Sequence, residues 1–137
     1  MDTDPRLIRG FQIVAGIVTL LVLVQAVLAG QFLTGDEEDL ENVHKIVGYA
    51  LFMLALVQLA LAWQSRDAWR YRMVIWSAVI LLLMVAQIGL VSGGDDNSGD
   101  AAAIHIPVGV FLFALSSIVA MLSVMDERAK TVLRGTG

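Results

Sequence analysis

The chain contains no cysteine, only two prolines and only two histidines, and its charged residues are confined to 16% of the sequence. Without cysteine there are no disulfides, no iron–sulfur clusters and no thiolate ligation of a metal. Lysine and arginine are also scarce: 9 against 13 acidic residues gives a formal charge of −4, which excludes the basic face of a nucleic-acid-binding protein. With so few prolines, long stretches are free of helix breakers. What is abundant is apolar. Hydrophobic residues make up 58% of the 137 positions, and the mean hydropathy of +0.77 lies far above that of ordinary globular domains. Burial in lipid is the economical explanation, in a single domain spanning 1–137.

Four charge-free apolar runs occur, at 10–35, 46–65, 73–94 and 101–125. Each is close to or beyond the ~20 residues a helix needs to cross ~30 Å of hydrocarbon. So few segments could not close a barrel, and an open sheet in lipid would leave its edges unsatisfied. The pattern therefore predicts an all-α fold: an integral membrane, up-down-up-down four-helix bundle with helices at about 7–31, 41–64, 69–92 and 102–127. The run after Arg6 and Arg9 is too long for the apolar core of a cleavable signal, so it reads as a retained helix. Arg6, Arg9, Arg66, Arg70, Arg72, Arg128, Lys130 and Arg134 all fall on one side of this arrangement, and only Lys45 falls on the other. The positive-inside rule places the protein in the cell membrane with both termini cytoplasmic. Trp63, Trp69 and Tyr71 are expected at the inner boundary, and the acidic loops around 35–39 and 93–100 are expected as solvated outer turns. Pro107 is expected in the first turn or so of the fourth helix, where its missing N–H costs little.

The two histidines share one local pattern. His44 and His105 each open an apolar segment, and the segments align as H-x-x-V-G-x-x-L-F-x-L, with Gly48 and Gly109 four residues after the histidines. Gln25 and Gln87 precede them by 19 residues (44 − 25) and 18 (105 − 87). The chain is thus a two-helix tandem repeat, its halves related by an axis along the membrane normal. Helices two and four run in the same direction, so the histidines lie at one depth. In a square bundle these helices are diagonal, about 12–14 Å apart when neighbouring axes are ~8–10 Å apart. That span suits two imidazoles on a single metal, with a flat macrocycle between them.

The residues accordingly point to one bis-histidine haem b per chain, with His44 and His105 as metal ligands. Gly48 and Gly109 are expected to clear space for the porphyrin, and Lys45 either to pair with a propionate or to snorkel to the headgroups. Gln25 and Gln87 have two open readings: a hydrogen bond to a ligand histidine or a bound quinone, or a plain bond between helices. A bare zinc or copper ion would need further ligands, which the acidic loops are placed to add. A six-coordinate haem favours electron transfer, quinol-linked or within a larger respiratory complex. Other readings are a cofactor-free assembly subunit and, from small residues such as Ala15 and Gly16 on helix faces, a homodimer.

Glu41-Asn42-Val43-His44-Lys45 resembles the E-x-x-H-R motif of haem A synthase, a family built of two four-helix halves with histidines at the outer ends of the second and fourth helices of each half. The resemblance covers one half, about 11–125, and Lys45 stands where the family has arginine. It implies that His44 and His105 bind haem and that Glu41 is a candidate catalytic carboxylate in a haem-modifying enzyme. The paired His-x3-Gly motifs also resemble small four-helix membrane proteins of archaea and actinobacteria.

Overall fold

The computed structural model describes residues 3–32, 38–69, 71–92 and 98–135. Most of both acidic loops and Arg70 lie outside them, and with these the expectation of solvated outer turns. The order of elements is α1 (Pro5–Phe32), α2 (Glu38–Gln64), the single turn α3 (Arg66–Trp69), α4 (Arg72–Ser92) and α5 (Ser98–Gly135), and no strand occurs among the described residues. α1, α2, α4 and α5 are each long and apolar enough to cross a membrane. α1 packs on α2 and α5, and α4 packs on α2 and α5. This is the all-α four-helix membrane bundle, with the two histidine-bearing helices, α2 and α5, on one diagonal.

The distribution of side chains is that of a protein solvated by lipid. Large apolar residues point outward, among them Leu20, Ile46, Leu82 and Val110, all exposed. In water such a surface would far exceed the patch a soluble monomer tolerates; against a bilayer it costs nothing. The interior holds Ala15, Ala55, Ala62, Ser65, Ser77, Ser116 and Ser123, all buried. Small residues let helix backbones approach closely where no hydrophobic effect drives them together. Larger plugs fill the remaining space: Phe11, Val18, Ile80, Met84, Leu112 and Val119.

Several of the few polar side chains inside donate hydrogen bonds that tie helices together or bond the local backbone. Gln58, fully buried, donates to Ser77 Oγ at 3.3 Å and ties α2 to α4. Gln12 donates to the carbonyl of Ser123 at 3.0 Å and ties α1 to α5. Ser116 and Ser117 both donate to the carbonyl of Phe113 at 3.0 and 2.8 Å, the local backbone bonding expected of serines in an apolar helix.

At the arginine-rich end the structure departs from the sequence expectation in three places. α1 starts at Pro5, with Asp4 as its cap: Arg6 N donates to Asp4 Oδ1 at 2.8 Å, and proline suits the first helical position. The third membrane helix starts at Arg72 rather than 69, because Tyr71 takes a left-handed backbone with φ of 65°. That conformation is costly for a bulky residue, and here it reverses the chain between α3 and α4. The aromatic cluster also divides. Trp63 and Tyr71 are half-exposed and edge-on at 6.2 Å, with the Arg66 guanidinium 5.1 Å from the Trp63 ring centre. Trp69 instead turns inward, buried, with its ring centre 5.0 Å from that of Phe11. Arg72 and Asp126 form an ion pair that joins α4 to α5 at the same end.

Pro107 is the fourth correction. α5 begins at Ser98, so Pro107 lies in its third turn and not its first. A proline there removes the N–H that would bond the Ala103 carbonyl. The first turns are polar and alanine-rich, S-G-D-A-A-A, and carry the helix beyond the apolar run that sequence hydropathy picks out.

The Trp69 indole nitrogen is buried and has no hydrogen-bond partner among the described residues. Trp69→Phe is therefore expected to hold or raise the melting temperature in detergent, since it keeps the packing and removes an unsatisfied donor. Trp69→Ala is expected to cost about 3 kcal/mol through the cavity it leaves. Equal destabilisation by both would contradict this placement.

Candidate functional site

The end of the bundle opposite the arginines opens into a cavity of about 610 Å³, within the ~300–1,000 Å³ typical of small-molecule and cofactor sites. All eight residues singled out from the sequence line it: Gln25, Glu41, His44, Lys45, Gly48, Gln87, His105 and Gly109. The repeat explains why. α1 and α4 deliver Gln25 and Gln87, while α2 and α5 deliver the histidines and glycines, so each half contributes the same set.

The two imidazoles face each other across the diagonal, with ring centres 6.1 Å apart and planes inclined at 58°. Both side chains are half-buried. His105 Nδ1 is buried with no hydrogen-bond partner among the described residues, an arrangement that costs its desolvation unless something binds there.

Each glutamine reaches across its own hairpin to the backbone of the histidine. Gln25 Nε2 donates to the His44 carbonyl at 2.9 Å, and Gln87 Nε2 donates to the His105 carbonyl at 3.0 Å. The donor of each glutamine thus makes a bond from helix to helix, while its Oε1 is buried at the cavity without a partner among the described residues. The glycines, which line the cavity, also have a close neighbour on the other helix. A Cβ on Gly48 would lie 3.0 Å from Gln25 Nε2, and one on Gly109 would lie 3.2 Å from Gln87 Nε2. Each glycine thus borders both the cavity and an amide of the neighbouring helix, which a side chain there would crowd.

Lys45 pairs with Glu41 one turn earlier, Nζ to Oε1 2.6 Å, both side chains about half exposed at the cavity mouth. The carboxylate that the haem A synthase resemblance marks as catalytic is thus held by a neighbouring ammonium. The mouth breaks the two-fold likeness, since Ile106 occupies the position matching Lys45.

The floor was less legible in the sequence. Val22, Leu51, Met84 and Leu112 close the cavity from below, all nearly fully buried. Leu51 and Leu112 belong to the repeated motif, but Val22 and Met84 carry no chemical signal. Their one mark is position, three residues before Gln25 and Gln87, which puts them on the same helix face one turn deeper.

Among the described residues no group of three or more histidine, cysteine, aspartate or glutamate side chains is placed to hold a metal ion. A bare zinc centre wants about four ligands, so the two imidazoles suit a metal whose remaining ligands arrive with it. The donor set, the apolar floor and the cavity volume fit a haem, with His44 and His105 as the residues that would hold it.

If the imidazoles serve a ligand and not the packing, the ligand-free fold does not need them. His105→Leu is expected to leave the melting temperature in detergent unchanged or to raise it, by up to about 1 kcal/mol of stability, because it removes an unsatisfied buried nitrogen. A loss of more than about 1 kcal/mol would instead mark the ring as a packing element. Comparison of the chain with protein families, with characterised proteins and with solved structures finds no match.

Proposed function

We propose that this bundle is a membrane b-type cytochrome that holds one haem between His44 and His105 and passes single electrons. The observation that carries the reading is the 6.1 Å between the imidazole centres. An iron–nitrogen bond is about 2 Å and a ring nitrogen lies about 1.1 Å from its ring centre, so two imidazoles on one iron stand about 6.2 Å apart. The 58° between the ring planes is compatible, because two axial ligands of one metal are free to differ by any rotation about their common axis.

A haem held between His44 and His105 would supply reversible one-electron chemistry and would leave no open site for oxygen. This chain's residues then act by position. The histidines fix the group at one depth. Val22, Leu51, Met84 and Leu112 exclude water from beneath it. The Glu41–Lys45 pair stands at the mouth, where an ammonium suits a propionate. The site lies at the end away from the arginines, which supports an orientation with both termini in the cytoplasm and the site toward the outer face of the cell membrane. A membrane quinol is the donor class that fits a lipid-embedded one-electron carrier, with an outer-face acceptor.

The test is a dithionite-reduced minus air-oxidised difference spectrum of protein purified from haem-supplied cells, on wild type and on His44→Ala and His105→Ala. Wild type is expected to show a sharp reduced α band at one haem per chain. Each variant is expected to stay folded and lose that band. A wild type that takes up no haem, or variants that keep an unchanged spectrum, would overturn the proposal.

A further inference from the structure

The repeated H-x-x-x-G pattern reads most simply as a ligand histidine with room beside it for the ligand. The geometry points to a different role, in two steps. In a helix the carbonyl of His44 already accepts the N–H of Gly48, four residues on, and that of His105 accepts Gly109 in the same way. The glutamine amides are therefore second donors to carbonyls that need no further partner, so satisfying an orphaned acceptor is not their purpose. Each amide also crowds the position of a glycine Cβ, 3.0 Å from it at Gly48 and 3.2 Å at Gly109.

We infer that glutamine, histidine and glycine form one unit, present twice, in which the glycine admits the amide and the amide pins the histidine backbone to the preceding helix. Gln25 and Gln87 are positioning residues for the two imidazoles. Gln25 fixes α2 against α1, and Gln87 fixes α5 against α4. Each acts on the carbonyl of the histidine itself, the point on the helix that sets the ring's depth and facing. Each clamp sets one histidine-bearing helix against its own hairpin partner, while the α1–α5 and α2–α4 packing sets how the two hairpins, and so the diagonal helices α2 and α5, stand apart. This inference rests on the haem reading for its functional consequence, but the clamp itself is a property of the ligand-free protein.

A double-substitution cycle separates the two roles of the glycines. Gly48→Ala, Gln25→Ala and the pair are compared, with Gly109→Ala and Gln87→Ala as the second copy. Thermal melting of the haem-free protein in detergent reads the clamp alone. Alanine is the better helix former, so Gly48→Ala is expected to raise the melting temperature in the Gln25→Ala background. In the wild-type background that gain is expected to be cancelled or reversed, because the amide must give way by a few tenths of an ångström and its bond to the carbonyl is strained. The coupling should be about fivefold in the folding equilibrium, the equivalent of one hydrogen bond at about 1 kcal/mol.

In the haem-loaded protein, Gln25→Ala and Gly48→Ala are each expected to shift the midpoint potential and the low-spin resonance positions in the same direction. The pair is expected to be no worse than Gln25→Ala alone. Additive effects in both measurements would overturn the inference and return the glycines to clearing space for the ligand. If wild type takes up no haem, the function proposed above fails. The melting cycle still decides the clamp: coupling supports it, and additivity overturns it.

Discussion

A glutamine amide that crosses from one helix to the histidine carbonyl of the next is the interaction on which the histidine end of this bundle depends. It occurs twice, Gln25 to His44 and Gln87 to His105, and it spans the two hairpins from which the molecule is built. Inside a bilayer the hydrophobic effect does not press one helix against another, and the association rests on close packing and a few internal hydrogen bonds. An amide buried among apolar side chains has few places to go. The histidine carbonyl, left accessible by a glycine, is one of them.

The rest of the bundle follows from the same solvent. Large aliphatic residues face outward and alanine and serine line the contacts, the reverse of a soluble helical bundle. The interior polar groups are arranged in levels: Gln25 and Gln87 near the cavity, Gln58 with Ser77 near the middle, and Gln12 with the Ser123 carbonyl toward the arginine end. Each level joins a different pair of helices. Together they close the ring α1–α2–α4–α5 with hydrogen bonds as well as with shape. Unused polar atoms are scattered singly elsewhere, at Gln58 Oε1 and Trp69 Nε1, but three gather at the cavity: Gln25 Oε1, Gln87 Oε1 and His105 Nδ1 are buried there without partners among the described residues.

The number of membrane helices, their order and the depth of the histidines were readable because each depends on a single strong signal. Length and hydropathy mark a span, and an even repeat places two like residues on parallel helices. The site residues were readable for a related reason, since histidine, glutamine and glycine are conspicuous against an apolar background. What the residues did at close range was not readable. Gly48 and Gly109 suggested space for a macrocycle and do line the cavity, but a glutamine nitrogen also lies close to each, which no spacing in the sequence announces. Sequence shows that a side chain is missing and not what fills the gap. Trp69 shares its neighbourhood and chemistry with Trp63 yet packs on Phe11 inside, from the separate turn α3 that precedes the left-handed residue Tyr71. Pro107 suggested a helix start, but polar, alanine-rich turns continue the helix outward past the apolar run that hydropathy measures.

As proposed, His44 and His105 together hold one six-coordinate metal. Titration of the haem-free protein with haem, followed by electron paramagnetic resonance of the oxidised form, separates this role from packing. Saturation at one haem per chain is expected, with a low-spin signal in which both axial ligands are nitrogen. No uptake, or a high-spin signal from a haem held by a single histidine, would contradict it, and the facing of His44 and His105 would then have to be explained by the packing of the helices alone.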